Sequence, residues 1–91
     1  VMYLHLGQDY IVKTKDIIAI FDMEKTSISP ITKHFLRNAS KKNMVTYVSD
    51  ELPKSFIVLK NEKQERIYVS SISSTTLAKR ASHKNKGFLN L

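Results

Sequence analysis

Lys33, Arg37 and Lys41 stand four residues apart within Thr26 to Met44, a stretch that contains no acidic residue. On an α-helix, positions i, i+4 and i+8 point the same way, about 6 Å apart along the axis. That is close to twice the ~3.4 Å rise between successive phosphates of one DNA strand. The chemistry open to such a row is electrostatic: three cations in line can meet alternate phosphates of a polyanion. Surface helices usually mix both signs to gain i,i+4 pairs, and this segment has no acid with which to form one. A solvated basic face that serves only solubility is the competing reading of the same residues.

Three further cations occupy loops. Lys13 and Lys15 flank the turn ahead of an apolar run, and Lys54 follows Pro53. Loops carried by a rigid sheet suit phosphate contacts, although Asp16, Asp50 and Glu51 stand beside these lysines. A second acid-free segment begins at Lys79 and holds Arg80, Lys84 and Lys86, while the remaining stretches are nearly balanced. The formal net charge of +7 is therefore segregated rather than spread, which raises the local concentration of polyanions around the protein. The expectation is that Lys13, Lys15, Lys33, Arg37, Lys41 and Lys54 meet on one exposed ridge and touch duplex DNA.

Catalytic chemistry has little to work with. His5, His34 and His83 fall on three separate elements without metal-ligand spacing. Two glycines cannot build a phosphate-cradling loop, and zero cysteines exclude thiolate metal sites and disulfides. Asp50 and Glu51 are adjacent, so their side chains diverge rather than share a proton. The hydroxyls from Ser70 to Thr76 have no histidine near them, and helix capping accounts for them better. The chain is read as a non-enzyme with no cofactor, no metal and no small-molecule substrate. An RNA-recognition-motif sheet would need a glycine and paired aromatics that Ser55-Phe56-Ile57-Val58-Leu59 lacks. Two helices separated by three strands do not make a helix-turn-helix.

The elements that must position these residues follow from periodicity. Met2, Leu4 and Leu6 alternate with Tyr3 and His5; Gly7-Gln8-Asp9 supplies turn chemistry, and Tyr10-Ile11-Val12-Lys13 completes a hairpin. Ile17-Ile18-Ala19-Ile20-Phe21 is a continuous apolar run of mostly β-branched residues, expected as a central strand covered on both faces. Ser29 and Pro30 open a helix in which Ile31, Phe35, Leu36 and Ala39 fall within about 140° of arc. Lys33, His34, Arg37 and Lys41 take the opposite arc, and the helix should end near Lys42-Asn43. Strands are expected at Val45–Val48, Ser55–Lys60 and Arg66–Ser70, the last two joined by a charged turn. A short helix around Thr75–Ser82 follows, capped by Ser73 or Ser74, with Leu77, Ala78 and Ala81 as its apolar face.

Together these give one α+β domain over residues 1–82: a small, mainly antiparallel sheet of about five strands, one central amphipathic helix and a short C-terminal helix. Residues 83–91 read as a basic tail that carries Phe88, Leu89 and Leu91. A chain of 91 residues buries only about 60–65% of its unfolded surface, which favours gaining core by self-association. No segment is long and apolar enough to span a bilayer, and the N-terminus lacks a basic region ahead of an apolar one. The expectation is a cytoplasmic homo-oligomer that does not engage membranes.

Tyr3-Leu4-His5-Leu6-Gly7, Ile11-Val12 and Lys15-Asp16-Ile17-Ile18-Ala19-Ile20-Phe21-Asp22 resemble the opening of the small bacterial RemA/RemB family of extracellular-matrix regulatory proteins. The similarity continues through Tyr47-Val48-Ser49-Asp50-Glu51-Leu52-Pro53-Lys54-Ser55-Phe56 and ends near Ser71-Ile72-Ser73-Ser74-Thr75-Thr76-Leu77. Asp50 to Phe56 points to the RemB-like branch. The resemblance implies a cytoplasmic regulator of biofilm-matrix genes in Gram-positive bacteria, from a family whose RemA-type members bind DNA, assemble into rings and present loop arginines to the backbone. Lys15 and Lys54 are the positions that could inherit this role. The chain departs from the pattern at both: Lys15 is followed by Asp16, and Glu51-Leu52-Pro53-Lys54 stands where RemA-like members carry arginines. Acid, apolar and proline residues cannot make bidentate phosphate contacts.

Two functions follow. The first is an oligomeric transcriptional regulator that binds duplex DNA through phosphates, with sequence preference arising from DNA shape. The second is a protein-interaction module that regulates through a partner or paralogous subunit without touching DNA.

Overall fold

The protein is described here by a computed structural model covering residues 2–23 and 29–84. Its first element is the hairpin that the alternation requires. β1 (Tyr3–Gly7) and β2 (Tyr10–Lys13) pair antiparallel across Gln8-Asp9, burying Leu4, Leu6 and Val12 on one side and leaving Tyr3 and Ile11 exposed on the other. The turn depends on Gly7, whose φ is +119° and whose Cβ, if present, would lie 3.2 Å from Cγ1 of Val48. Gly7→Ala is expected to cost about 1–3 kcal/mol, because a side chain is strained at this φ. The measurement is the midpoint of urea unfolding, and an unshifted midpoint would contradict the turn geometry. Thr14 closes the hairpin by donating its N–H and its hydroxyl to the Met2 carbonyl, at 3.0 and 3.2 Å.

A 3-10 turn at Thr14–Asp16 leads into β3 (Ile17–Asp22). With β4 (Val45–Tyr47), β5 (Ser55–Lys60) and β6 (Glu65–Ser70) it forms a four-stranded sheet in the order β3-β5-β6-β4. β5 pairs antiparallel with both β3 and β6, while β4 runs parallel to β6. The class is thus α+β and mainly antiparallel, with six strands among the described residues divided between two sheets rather than about five in one.

The side-chain period of two splits the core into layers. On one face Ile57 and Leu59 meet Leu4, Leu6 and Val12 of the hairpin together with Leu77 and Ala81. On the other face Phe56, Ile67 and Val69 meet Ala39 and Leu36. These helical residues belong to α1 (Pro30–Lys41) and α2 (Ser74–Lys84). The hairpin and α2 therefore cover one face of the sheet and α1 the other.

Local contacts set the start of each helix and the end of α1. Ser29 is extended ahead of Pro30 but makes no side-chain cap, and its carbonyl accepts the Lys33 N–H at 3.0 Å. α1 closes in a Schellman arrangement: Asn43 adopts φ 57°, its N–H donates to Ser40 O at 3.0 Å, and Met44 N–H donates to Ala39 O at 3.0 Å. Ser73 caps α2 by accepting the Thr76 N–H at 3.2 Å.

Three packing expectations are corrected. The run Ile17–Phe21 forms an edge strand, not a central one. Ile17 and Ile20 pack against the first core, but a register shift between Ile17 and Ala19 leaves Ile18 63% exposed, and Phe21 is 39% exposed. The central strands are β5 and β6, and the hairpin with α2 on one face and α1 on the other cover them. Ile31 and Phe35 stand on one flank of the helical arc whose centre is Ala39 and Leu36, and they are 82% and 44% exposed. Ala78 is exposed as well, so among the described residues Leu77 and Ala81 form the buried apolar face of α2.

Candidate nucleic-acid interface

α1 places Lys33, Arg37 and Lys41 on its outer side, all three exposed. The reason is the wheel itself: Thr32, Leu36 and Ala39 turn towards the sheet, which forces residues half a turn away into solvent. At a 1.5 Å rise per residue the row spans about 12 Å. No acid occurs between Ser29 and Ser49, so nothing on the helix or its C-terminal turn neutralises the row. His34 lies beside it and contacts the Asn38 amide through Nε2 at 3.1 Å.

The loop lysines go elsewhere. Lys13 and Lys15 line a shallow depression with Asp16, Asn61, Glu62 and Lys63 at the β5–β6 turn. Lys63 joins them only through folding, and the two acids there offset much of the charge. Lys54 sits at the other end of the sheet. Its N–H donates to Ser70 O at 2.9 Å and its carbonyl accepts the Met23 N–H at 2.9 Å, so the loop is held while the side chain remains exposed. The same loop is braced by Ser49, whose hydroxyl donates to Ser71 Oγ at 3.1 Å and accepts the Glu51 N–H at 3.2 Å.

The expected single ridge does not form within one chain. β3 and β5 are antiparallel, so the turn before β3 and the loop before β5 emerge at opposite ends. The six residues of β5 separate those ends by about 20 Å at roughly 3.3 Å per residue. α1 lies on the face away from the hairpin that carries Lys13. Six cations thus divide among three places, and the α1 row is the one assembled by a single rigid element.

The second basic segment also divides. Arg80 is half-buried and donates from Nη1 to the His5 carbonyl at 3.2 Å, a structural role, whereas Lys79 is exposed. Lys86, Phe88, Leu89 and Leu91 lie outside the described residues. Sequence reasoning assigned Ser70 to a capping stretch, yet Ser70 is buried and joins β6 to the Leu6 carbonyl of β1, and the buried Ser55 holds the Ile72 carbonyl just after β6. Only burial distinguishes them from the other hydroxyls nearby. Among the described residues no group of three or more His, Cys, Asp or Glu side chains could hold a metal ion, and no helix is long and apolar enough to cross a membrane.

The chain is 44% identical over 80 residues to "Extracellular matrix regulatory protein B" of Bacillus subtilis (strain 168), covering 88% of this chain and 90% of the relative. The RemA-like family, described as "Extracellular matrix regulatory protein A-like", matches residues 3–81, which run from the start of β1 into the third turn of α2. The chain belongs to the RemA-like family of extracellular matrix regulatory proteins, and within it resembles the B-type branch.

Proposed function

We propose that the protein is a non-enzymatic, oligomeric transcriptional regulator that grips duplex DNA through its phosphates, acting in the cytoplasm on genes of the biofilm matrix. The observation that carries this reading is the exposed, acid-free row Lys33, Arg37 and Lys41 on α1. Lys13, Lys15 and Lys54 contribute from the sheet ends, where a second copy or a bent duplex could bring them to the same DNA. A 12 Å row reaches few phosphates, so useful affinity calls for several copies side by side.

The edge strand β3 supports such assembly. Its Ile18, 63% exposed, lines a groove of about 550 Å³ together with Met2, Lys15, Ile17, Ile20 and Ala81. Sheet edges of this kind are templates for pairing with another chain. A ring is one closed form that repeated head-to-tail contacts can take.

Salt titration on long duplex DNA tests the reading. Each phosphate contact is expected to contribute about −0.9 to the slope of log K against log salt, so Lys33→Ala with Arg37→Ala should make the slope shallower by about 1.8. Light scattering on the same samples should show an assembly that Ile18→Lys reduces. No DNA binding at low salt, with assembly intact, would leave the protein-interaction module as the function. The exposed Ile31 and Phe35 favour that second reading, since phosphate contacts do not use them.

A further inference from the structure

A groove of about 430 Å³ runs alongside α1, and the row of cations is not part of it. Its floor is Ala39, Met44, Val58 and Ile67, and its apolar wall is Ile31 and Phe35. Ile31 is 82% exposed and Phe35 44%, although they share helical spacing with residues of the core. Phe35 is supported from behind by Phe56, with ring centroids 6.4 Å apart, and Phe56 in turn stacks on Phe21 at 4.8 Å. The wall is therefore a braced apolar surface. Exposing it costs free energy in water that a covering partner would recover.

The charge at the mouth of this groove is uneven. Lys42 and Arg66 border it, with His34 and Asn38 along the helix and Glu65 as its one acid. Arg66 is fixed in place, donating from Nη2 to Thr46 Oγ1 at 2.6 Å and from Nη1 to Asn43 O at 3.3 Å. Arg37 and Lys41 stand on the adjoining side of the same helix. An apolar trough beside a cationic rim excludes a basic occupant and gives a nucleic acid backbone nothing to do with the trough.

We infer that this groove docks an acidic, amphipathic helical segment of another protein. The length fits: Ile31 to Lys42 spans about three helical turns at 1.5 Å per residue. A facing helix with apolar anchors at i, i+3 or i+4 and i+7 would fill the trough and set its carboxylates against Lys42 and Arg66. The inference deepens the partner-binding reading by naming the site and the chemistry of the partner. It stands on the apolar groove, independently of whether duplex DNA is bound.

The test is a phage-displayed library of random 15-residue peptides selected on the intact chain, with enriched peptides then measured by fluorescence anisotropy. Expected are sequences that combine Asp or Glu with aromatic or large aliphatic residues at helical spacing. Their affinity should fall about tenfold on Ile31→Ser, as for an apolar anchor, and several-fold on Lys42→Gln. Ile11→Ser, an exposed change on the hairpin, should leave it unchanged. Ile31 is nearly all in solvent, so its replacement keeps the fold, which circular dichroism checks. No enrichment, enrichment of basic or neutral sequences, or equal binding to Ile31→Ser would overturn the inference. So would light scattering that shows an assembly dissolved by Ile31→Ser, because a second copy would then fill the groove. The salt slope on DNA is read separately, and Ile31→Ser should not change it.

Discussion

Ile57→Ala will destabilise the domain by about 3–4 kcal/mol, the range for truncating a buried aliphatic side chain where the surroundings cannot collapse. Ile57 is fully buried at the centre of β5, flanked by Ile20 on β3 and Tyr68 on β6, and it faces the hairpin and α2. Every layer on that side loses a contact at once. For a domain of this size the loss is a large share of a total stability of about 5–15 kcal/mol. Urea unfolding followed by circular dichroism measures it, with Ile11→Ala as the companion. Ile11 is 61% exposed on β2, and its truncation should stay within about 0.5 kcal/mol. Equal losses at the two positions would mean that the hairpin does not present the faces described.

Ser70→Ala comes next, with an expected cost of about 2–4 kcal/mol from the removal of a single hydroxyl group. The Ser70 hydroxyl donates to the Leu6 carbonyl at 2.7 Å and accepts the Ile72 N–H at 3.0 Å, tying β1 to the end of β6 in a buried position. Alanine leaves both backbone groups without that partner, and an unsatisfied buried group costs about 1–3 kcal/mol. Ser55 provides the contrast. Its hydroxyl makes one described bond, to the Ile72 carbonyl at 2.8 Å, so Ser55→Ala should cost about half as much. A Ser70→Ala variant that unfolds at the same urea concentration as the parent would show that the layers are held by apolar packing alone. The amide exchange of β1 gives a second readout, since loosening of the hairpin should speed its exchange before the four-stranded sheet is affected.

The stability of this latch bears on the proposed DNA contacts. The hairpin carries Lys13 and the turn after it carries Lys15. A loosened hairpin would blur the placement of both while leaving the α1 row intact. Comparing DNA affinity of Ser70→Ala with that of the Lys33 and Arg37 variants therefore separates loss of geometry from loss of charge.

Much of the local structure is legible in the residues. The alternation of Met2 to Val12 fixes the hairpin, and the Ser29-Pro30 start and Asn43 end of α1 match its observed span, because caps and periods are short-range properties. The exposure of Lys33, Arg37 and Lys41 follows from helical geometry alone. The family resemblance is equally a property of the linear order of motifs. What failed was whatever depended on neighbours from distant parts of the chain. Ile17 to Phe21 reads as a central strand because burial on one face and an apolar sheet edge produce the same unbroken apolar run. Ile31 and Phe35 read as core because a wheel gives direction, not the width of the surface that the helix covers.

Composition and period by themselves determined that this is a small α+β domain with segregated positive charge, no thiol chemistry and one basic amphipathic helix. Tertiary structure alone decided that the loop cations lie at opposite ends of the sheet, that Ser70 joins two layers, and that an apolar trough opens beside Lys42 and Arg66. The physical reason is range. Propensity, capping and charge act over a few residues of the chain, whereas strand order and the crossing of a helix over a sheet are set by contacts between segments far apart in sequence.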